Sequence, residues 1–145
     1  MIAVMIVAVS MILAVALFLA GIEIQVMGIR NAVKAELASL SIKISDDTYQ
    51  SLREGDFEAY RDKLNSSSSY ISALTSDFYS SLEENIKLHT ETYDIENVSL
   101  AFTNAGNSLV YTFNCDVRFR VTILGGAFPE ITRNVTIEGR HNAKY

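Results

Sequence analysis

The amino-acid sequence predicts an α+β protein. A long N-terminal α-helix, apolar and then amphipathic, leads into a helical insertion and a C-terminal three-stranded antiparallel sheet packed on that helix. Three observations predict it. Residues 1–22 carry no charge, and Ser10 is their only hydroxyl residue. Val26, Ile29, Val33, Leu37, Leu40 and Ile44 then recur at steps of three and four, the spacing of one helical face. In the last third the period changes to two: Leu109, Tyr111, Phe113, Cys115, Val117, Phe119, Val121 and Ile123 stand at alternate positions without a miss.

The apolar run decides the class. As a helix, residues 1–22 would be about 33 Å long, which matches a bilayer core. A helix on a soluble surface has a polar face, and this run has none. Three readings compete: a cleaved signal peptide, a membrane anchor, and an assembly helix that leaves the membrane to be buried among its own copies. A signal peptide needs a basic start, and no Lys or Arg precedes Arg30. The helical pattern does not stop at Gly21 but runs on to about Ile44, roughly 65 Å in all. That continuity favours the assembly helix, with a plain anchor extended into a stalk as the alternative. The residues expected to carry assembly are Met1, Ile2, Met5, Ile6, Val9, Ile12, Leu13, Ala16, Leu17, Leu19, Ala20 and Glu23. Ala3, Ala8, Ala14 and Gly21 are small enough to allow close helix approach. Arg30 and Lys34 follow the run, so the positive-inside rule alone would place the C-terminal part in the cytoplasm.

Ser45, Asp46 and Asp47 offer N-cap oxygens, so the first helix is expected to break there and a short helix to begin. That helix has Leu52, Phe57, Tyr60 and Leu64 as its apolar side and Gly55 as a weak point. Residues 65–69 read as a loop. Ile71, Leu74, Phe78, Leu82 and Ile86 then mark a second amphipathic helix to about Lys87. Strands are expected over 98–102, 109–123 and 131–137, joined by turns at 104–108 and 125–129. The apolar face of this meander needs a cover, and the amphipathic half of the first helix is the obvious one. The resulting organisation is an assembly or transmembrane helix, 1–28, and a head, 29–145. The head comprises the helix continuation 29–44, the insertion 45–96 and the sheet 97–140. A chain starting near Arg30 is expected to fold by itself.

Composition excludes several function classes. The 145 residues, with net charge −5, suffice for one compact domain. The charge is uneven: residues 44–96 carry a net of −8, whereas 97–145 carry +2. The acidic excess reads as a solvated helix face, since no glycine-centred calcium loop accompanies it. No basic cluster marks a nucleic-acid interface. Cys115 is alone, so no disulfide forms within the chain, and with only His89 and His141 to help it no zinc set is expected. No nucleophile, base and orienting group can be assembled and no phosphate loop is present, so neither an enzyme nor a cofactor is expected. Asn65, Asn97 and Asn134 each begin an Asn-x-Ser/Thr acceptor pattern for N-glycosylation and are expected to face solvent.

The charge-free helix that continues as an amphipathic spine, the helical insertion and the C-terminal sheet together resemble the type IV pilin superfamily. The segment Ala20-Gly21-Ile22-Glu23-Ile24 is similar to the helix of tight-adherence (Tad) pilin-like proteins, which often closes near a glutamate. The strands at 117–123 and 131–137 also resemble their terminal strands. Two positions depart from the pattern: Met5 stands where a glutamate is usual, and no C-terminal disulfide loop can form. The resemblance implies a structural subunit of an extracellular filament, oriented outward. It would wait in the membrane after cleavage by a prepilin peptidase, then be drawn into a helical polymer of its own copies by a secretion ATPase and platform protein. The alternatives are a single-pass membrane protein whose small domain binds a partner, and a minor pseudopilin of a secretion or pilus machine.

Overall fold

The computed structural model describes residues 1–123, 126–127 and 129–142 of the chain. Three helices, α1 (Ile2–Arg53), α2 (Phe57–Lys63) and α3 (Ser69–Asn85), precede five strands: β1 (Tyr93–Ala105), β2 (Ser108–Phe119), β3 (Thr122–Ile123), β4 (Gly126–Ala127) and β5 (Ile131–Asn142). β1, β2 and β5 form one antiparallel sheet in the order β1-β2-β5, and β3 pairs with β4. The fold is therefore the expected α+β arrangement, a long helix followed by a helical insertion and a three-stranded meander.

α1 is one helix of 52 residues, about 78 Å at the standard rise. Its buried positions, Ile22, Ile29, Val33, Leu37, Leu40, Ile44, Thr48 and Ser51, form a single stripe completed by the half-buried Val26. The stripe explains why the predicted break at Ser45 does not occur. Thr48 and Ser51 stay on the buried face because their hydroxyls donate back to the carbonyls of Ile44 (2.7 Å) and Asp47 (3.1 Å). The Asp47 carboxylate accepts instead from the Tyr70 hydroxyl of α3 at 2.6 Å. The helix ends where the backbone can turn, at Gly55 with φ +76°. Asp56, not Ser45, caps the next helix, accepting from the Ala59 amide at 2.9 Å.

α3 runs antiparallel to α1. Asp47 meets Tyr70, Lys43 meets Asp77 at 2.9 Å, and Glu36 accepts from Ser81 at 2.7 Å and Asn85 at 2.9 Å. Its apolar residues Ile71, Leu74, Phe78 and Leu82 are buried as the periodicity predicts. The Phe78 ring meets Phe113 of β2 edge-on, centroids 5.8 Å apart. The two helices thus form one layer over the dry face of the sheet, where Leu109, Phe113, Cys115 and Val117 are almost wholly enclosed. Burial pushes the Cys115 thiol up to about 11, the behaviour of a small core residue.

Several strand boundaries differ from expectation. β1 runs on to Ala105 and β5 to Asn142, past the expected 102 and 137, because each keeps its pairing with β2. β1 starts at Tyr93, earlier than 98, because a bulge lies between Glu96 and Ser99 and resets the alternation. Tyr93 and Ile95 face the core before it, and Leu100 and Phe102 after it, opposite Phe119, Val117, Phe113 and Tyr111 respectively. The bulge residue Asn97 has φ +53°. β2 ends at Phe119 rather than Ile123, since its neighbours Tyr93 and Ile131 are the outermost pairing residues of β1 and β5. The β1–β2 connection is a two-residue loop with φ +62° at Gly106, within the turn the sequence predicts. The second predicted turn includes residues 125 and 128, which lie outside the described residues.

Candidate functional site

The first third of α1 has no cover. Every residue from 1 to 17 is exposed, with Ile2 at 77% and Ile12 at 70%, whereas Ile22 is 4% exposed. Phe18 is half-buried and is the first side chain to touch the core cluster. Met1, Ile2, Met5, Ile6, Val9, Ile12, Leu13, Ala16, Leu17, Leu19 and Ala20 are all exposed, and so are Val4, Val7 and Met11 between them. The bare surface is therefore apolar on every side. It is long and apolar enough to cross a membrane.

Glu23 stands apart from these residues. Its carboxylate accepts from Arg133 Nε of β5 at 2.9 Å, within the same chain. Arg30 donates to the Thr136 carbonyl at 3.4 Å, and Ser45 Oγ lies 3.4 Å from His141 Nδ1. α1 and β5 therefore run in the same direction, and the helix leaves the sheet at the end that carries Ile131. That end also holds Phe119 and Tyr93, so one end of the head faces the apolar helix. The opposite end carries the Gly106 loop and the C-terminus of α1.

A charged cluster occupies the helix-facing end of the sheet. Asp94, 4% exposed, accepts from Arg120 and has His89 Nδ1 as a donor at 3.1 Å. Arg118 lies 3.6 Å from the same carboxylate and bridges to Glu96 at 2.8 Å. The His89 hydrogen bond, then that of Arg120, holds the Asp94 carboxyl below the usual carboxylate range. Arg118 and Arg120 stand between the alternating apolar positions of the sequence, on the polar side of that pattern, but no sequence signal marks Asp94 as a buried carboxylate beside them. Among the described residues, no group of three or more His, Cys, Asp or Glu side chains is arranged to hold a metal.

Asn65, Asn97 and Asn134, which begin the three Asn-x-Ser/Thr patterns, are all exposed. Two share one carboxylate. Asn97 Nδ2 donates to Asp116 Oδ2 at 2.9 Å, and Asn134 Nδ2 donates to Asp116 Oδ1 at 2.9 Å and Asn114 Oδ1 at 2.7 Å. These amides, Asn134 first, hold the Asp116 carboxyl below its ordinary range. Asn65 lies in the α2–α3 loop and borders a groove of about 600 Å³ at the far end of the head, with Leu52, Phe57, Tyr60 and Asn107. Sequence reasoning missed this groove, because it is made by two stretches distant in the chain, 52–65 and 104–108. No protein-family model matches the chain, and no curated protein or solved structure does so either.

Proposed function

We propose that the chain is a structural subunit of an extracellular pilus-like filament, as its resemblance to type IV pilins and Tad-type pilin-like proteins implies. The observation that carries this reading is the division of α1: bare and uncharged through residue 17, buried on the head from Ile22 onward. Such a surface needs an apolar surrounding. Each Ile, Val, Leu or Met there gains about 1.5–3 kcal/mol when fully removed from water. Lipid supplies that surrounding before assembly, and the same helices of neighbouring copies supply it afterwards. Lipid tails and Leu side chains are about equally apolar, so the exchange itself has little driving force. Close packing and an extraction machine must drive it, which is the place of a secretion ATPase and platform protein. Once the polymer is outside, release of one subunit would wet its whole helix, so dissociation is suppressed. The head supplies the outer surface, and the reading gives it no enzymatic role.

A charge in the bundle tests this directly. Val9→Asp and Leu13→Asp are each expected to abolish incorporation into surface filaments, because an unpaired carboxylate in a dry helix bundle is costly. Electron microscopy of sheared surface material, with immunoblotting for the chain, reads the outcome. Normal filaments from either variant would refute a buried bundle.

The second reading is a single-pass membrane protein whose head binds a partner, supported by the match of one apolar run to one bilayer thickness. A minor pseudopilin shares the fold and differs in copy number. Crosslinking in intact cells separates the readings: a ladder of identical chains supports the filament, a monomer in lipid the anchor.

A further inference from the structure

The structure does not treat the three Asn-x-Ser/Thr patterns alike. Asn97 and Asn134 lie on β1 and β5, and both side-chain amides are held by the Asp116 carboxylate. Such charge-assisted hydrogen bonds are about twice as strong as neutral ones, and a sugar replaces one of the two amide protons. Asn134 Nδ2, which faces three acceptors, then loses a bond, and Asn97 Nδ2 has only one proton left to aim at Asp116. Asn65 differs in each respect. It lies in a loop, and among the described residues nothing accepts a hydrogen bond from its Nδ2. Its Oδ1 accepts from the Ser67 amide at 3.1 Å. Asn104 of β1 clamps the chain on both sides of it, donating to the Leu64 carbonyl at 2.5 Å and accepting from the Ser66 amide at 2.8 Å. The loop is thus fixed while the acceptor nitrogen stays open. Beside it lies the 600 Å³ groove, lined by Phe57, which is 64% exposed, and by Asn104 and Asn107. An exposed apolar ring and amides lining one groove suit a pyranose, which has a C–H face and a ring of hydroxyls.

We propose that Asn65 is the glycan acceptor of this chain and that the adjoining groove seats the first sugars. In the transfer, Asn65 Nδ2 bonds to the sugar C1 of a lipid-linked oligosaccharyl phosphate. The C1–O bond breaks, the lipid phosphate leaves with the bonding pair, and one amide proton passes to a base of the transferase. The site lies at the end of the head away from the apolar helix, so a glycan there does not obstruct helix packing. The inference rests on the outward placement of the head.

The test is peptide mass spectrometry of the full chain from its native cells, with surface proteolysis of the same cells. A saccharide mass is expected on the Asn65 peptide, with complete loss in Asn65→Asp, which keeps the Oδ1 acceptor, and in Ser67→Ala. Asn97→Gln and Asn134→Gln are expected to retain it. Phe57→Ala is expected to keep the glycan but speed its removal by an endoglycosidase several-fold. A protease-accessible head with an unmodified Asn65 peptide, or with saccharide only at Asn97 or Asn134, overturns the glycan site and leaves the filament reading standing. A protease-protected head overturns the outward placement and this inference together.

Discussion

A methyl group placed on Gly139 would lie 2.2 Å from the Tyr111 ring, which rests across the glycine in the paired strand. Tyr111 is buried, so the ring cannot simply swing away. Gly139→Ala is expected to destabilise the head by about 1–3 kcal/mol, read as a lower urea midpoint. At the other end of the sheet, Asp94 binds fewer protons folded than unfolded around its ordinary range, because His89 and Arg120 favour the carboxylate. Its contribution is present above the unfolded value of about 3.9 and is lost as pH falls through the lower folded value. Asp116 shifts in the same direction, through Asn134 and Asn97. Thermal melts should therefore fall steeply below about pH 4, and Asp94→Asn should flatten that fall. Neither Gly139 nor Asp94 is special as a letter in the sequence. Their roles come from what the fold places beside them: Tyr111 of the paired strand at Gly139, and His89 and Arg120, which lie outside the three-stranded sheet, at Asp94.

Element boundaries follow the same logic. Periodicity alone located the buried face of α1 from Val26 to Ile44 and missed Ile22, which it left in the apolar run, and local capping chemistry suggested a stop at Ser45. The helix continues because Thr48 and Ser51 keep the stripe going and Asp47 is engaged by Tyr70 of α3. Proline at position 46 separates the two pictures. At the first turn of a new helix it would be tolerated. In the interior of α1, Asp46→Pro is expected to cost about 3 kcal/mol or more, measured by denaturant unfolding. Strand β1 shows the same pattern. Its core-facing residues switch from odd to even numbers at the Asn97 bulge, so a single alternating register cannot describe it. The long apolar alternation of β2 was legible because no bulge interrupts its pairing, yet it overran Phe119, where both partner strands end.

For the whole molecule, the useful boundary lies near residue 21. Ile22 and Ile29 are buried, and Glu23 pairs with Arg133. A chain starting at Gly21 keeps these contacts and is expected to be monomeric and soluble on gel filtration. A chain starting at Arg30 loses both buried side chains. It is expected to be less stable than the Gly21 form by about 3–6 kcal/mol, from 1.5–3 kcal/mol per buried aliphatic residue. Equal urea midpoints for the two would show that the helix segment 21–29 contributes nothing to the head. The apolar third, by contrast, adds no stability to the isolated fold, since none of the described residues covers it. That stretch is long and apolar enough to cross a membrane.

By itself the sequence determined the class of each segment: which stretch is oily all round, which faces of α1 up to Ile44 and of α3 are buried, and that helices precede strands. The expected apolar side of α2 is not buried, and its Phe57 is 64% exposed. Those properties follow from side-chain periodicity, which is local and survives without knowledge of the partner. The tertiary structure decided where α1 ends, where β1 begins, which carboxylate is enclosed and which acceptor asparagine stays open. Each of these depends on a group brought from elsewhere in the chain, such as Tyr70 at Asp47, Arg120 at Asp94 or Asn104 beside Asn65. A hydrogen bond from a distant residue changes the cost of a backbone choice, and no local pattern records it.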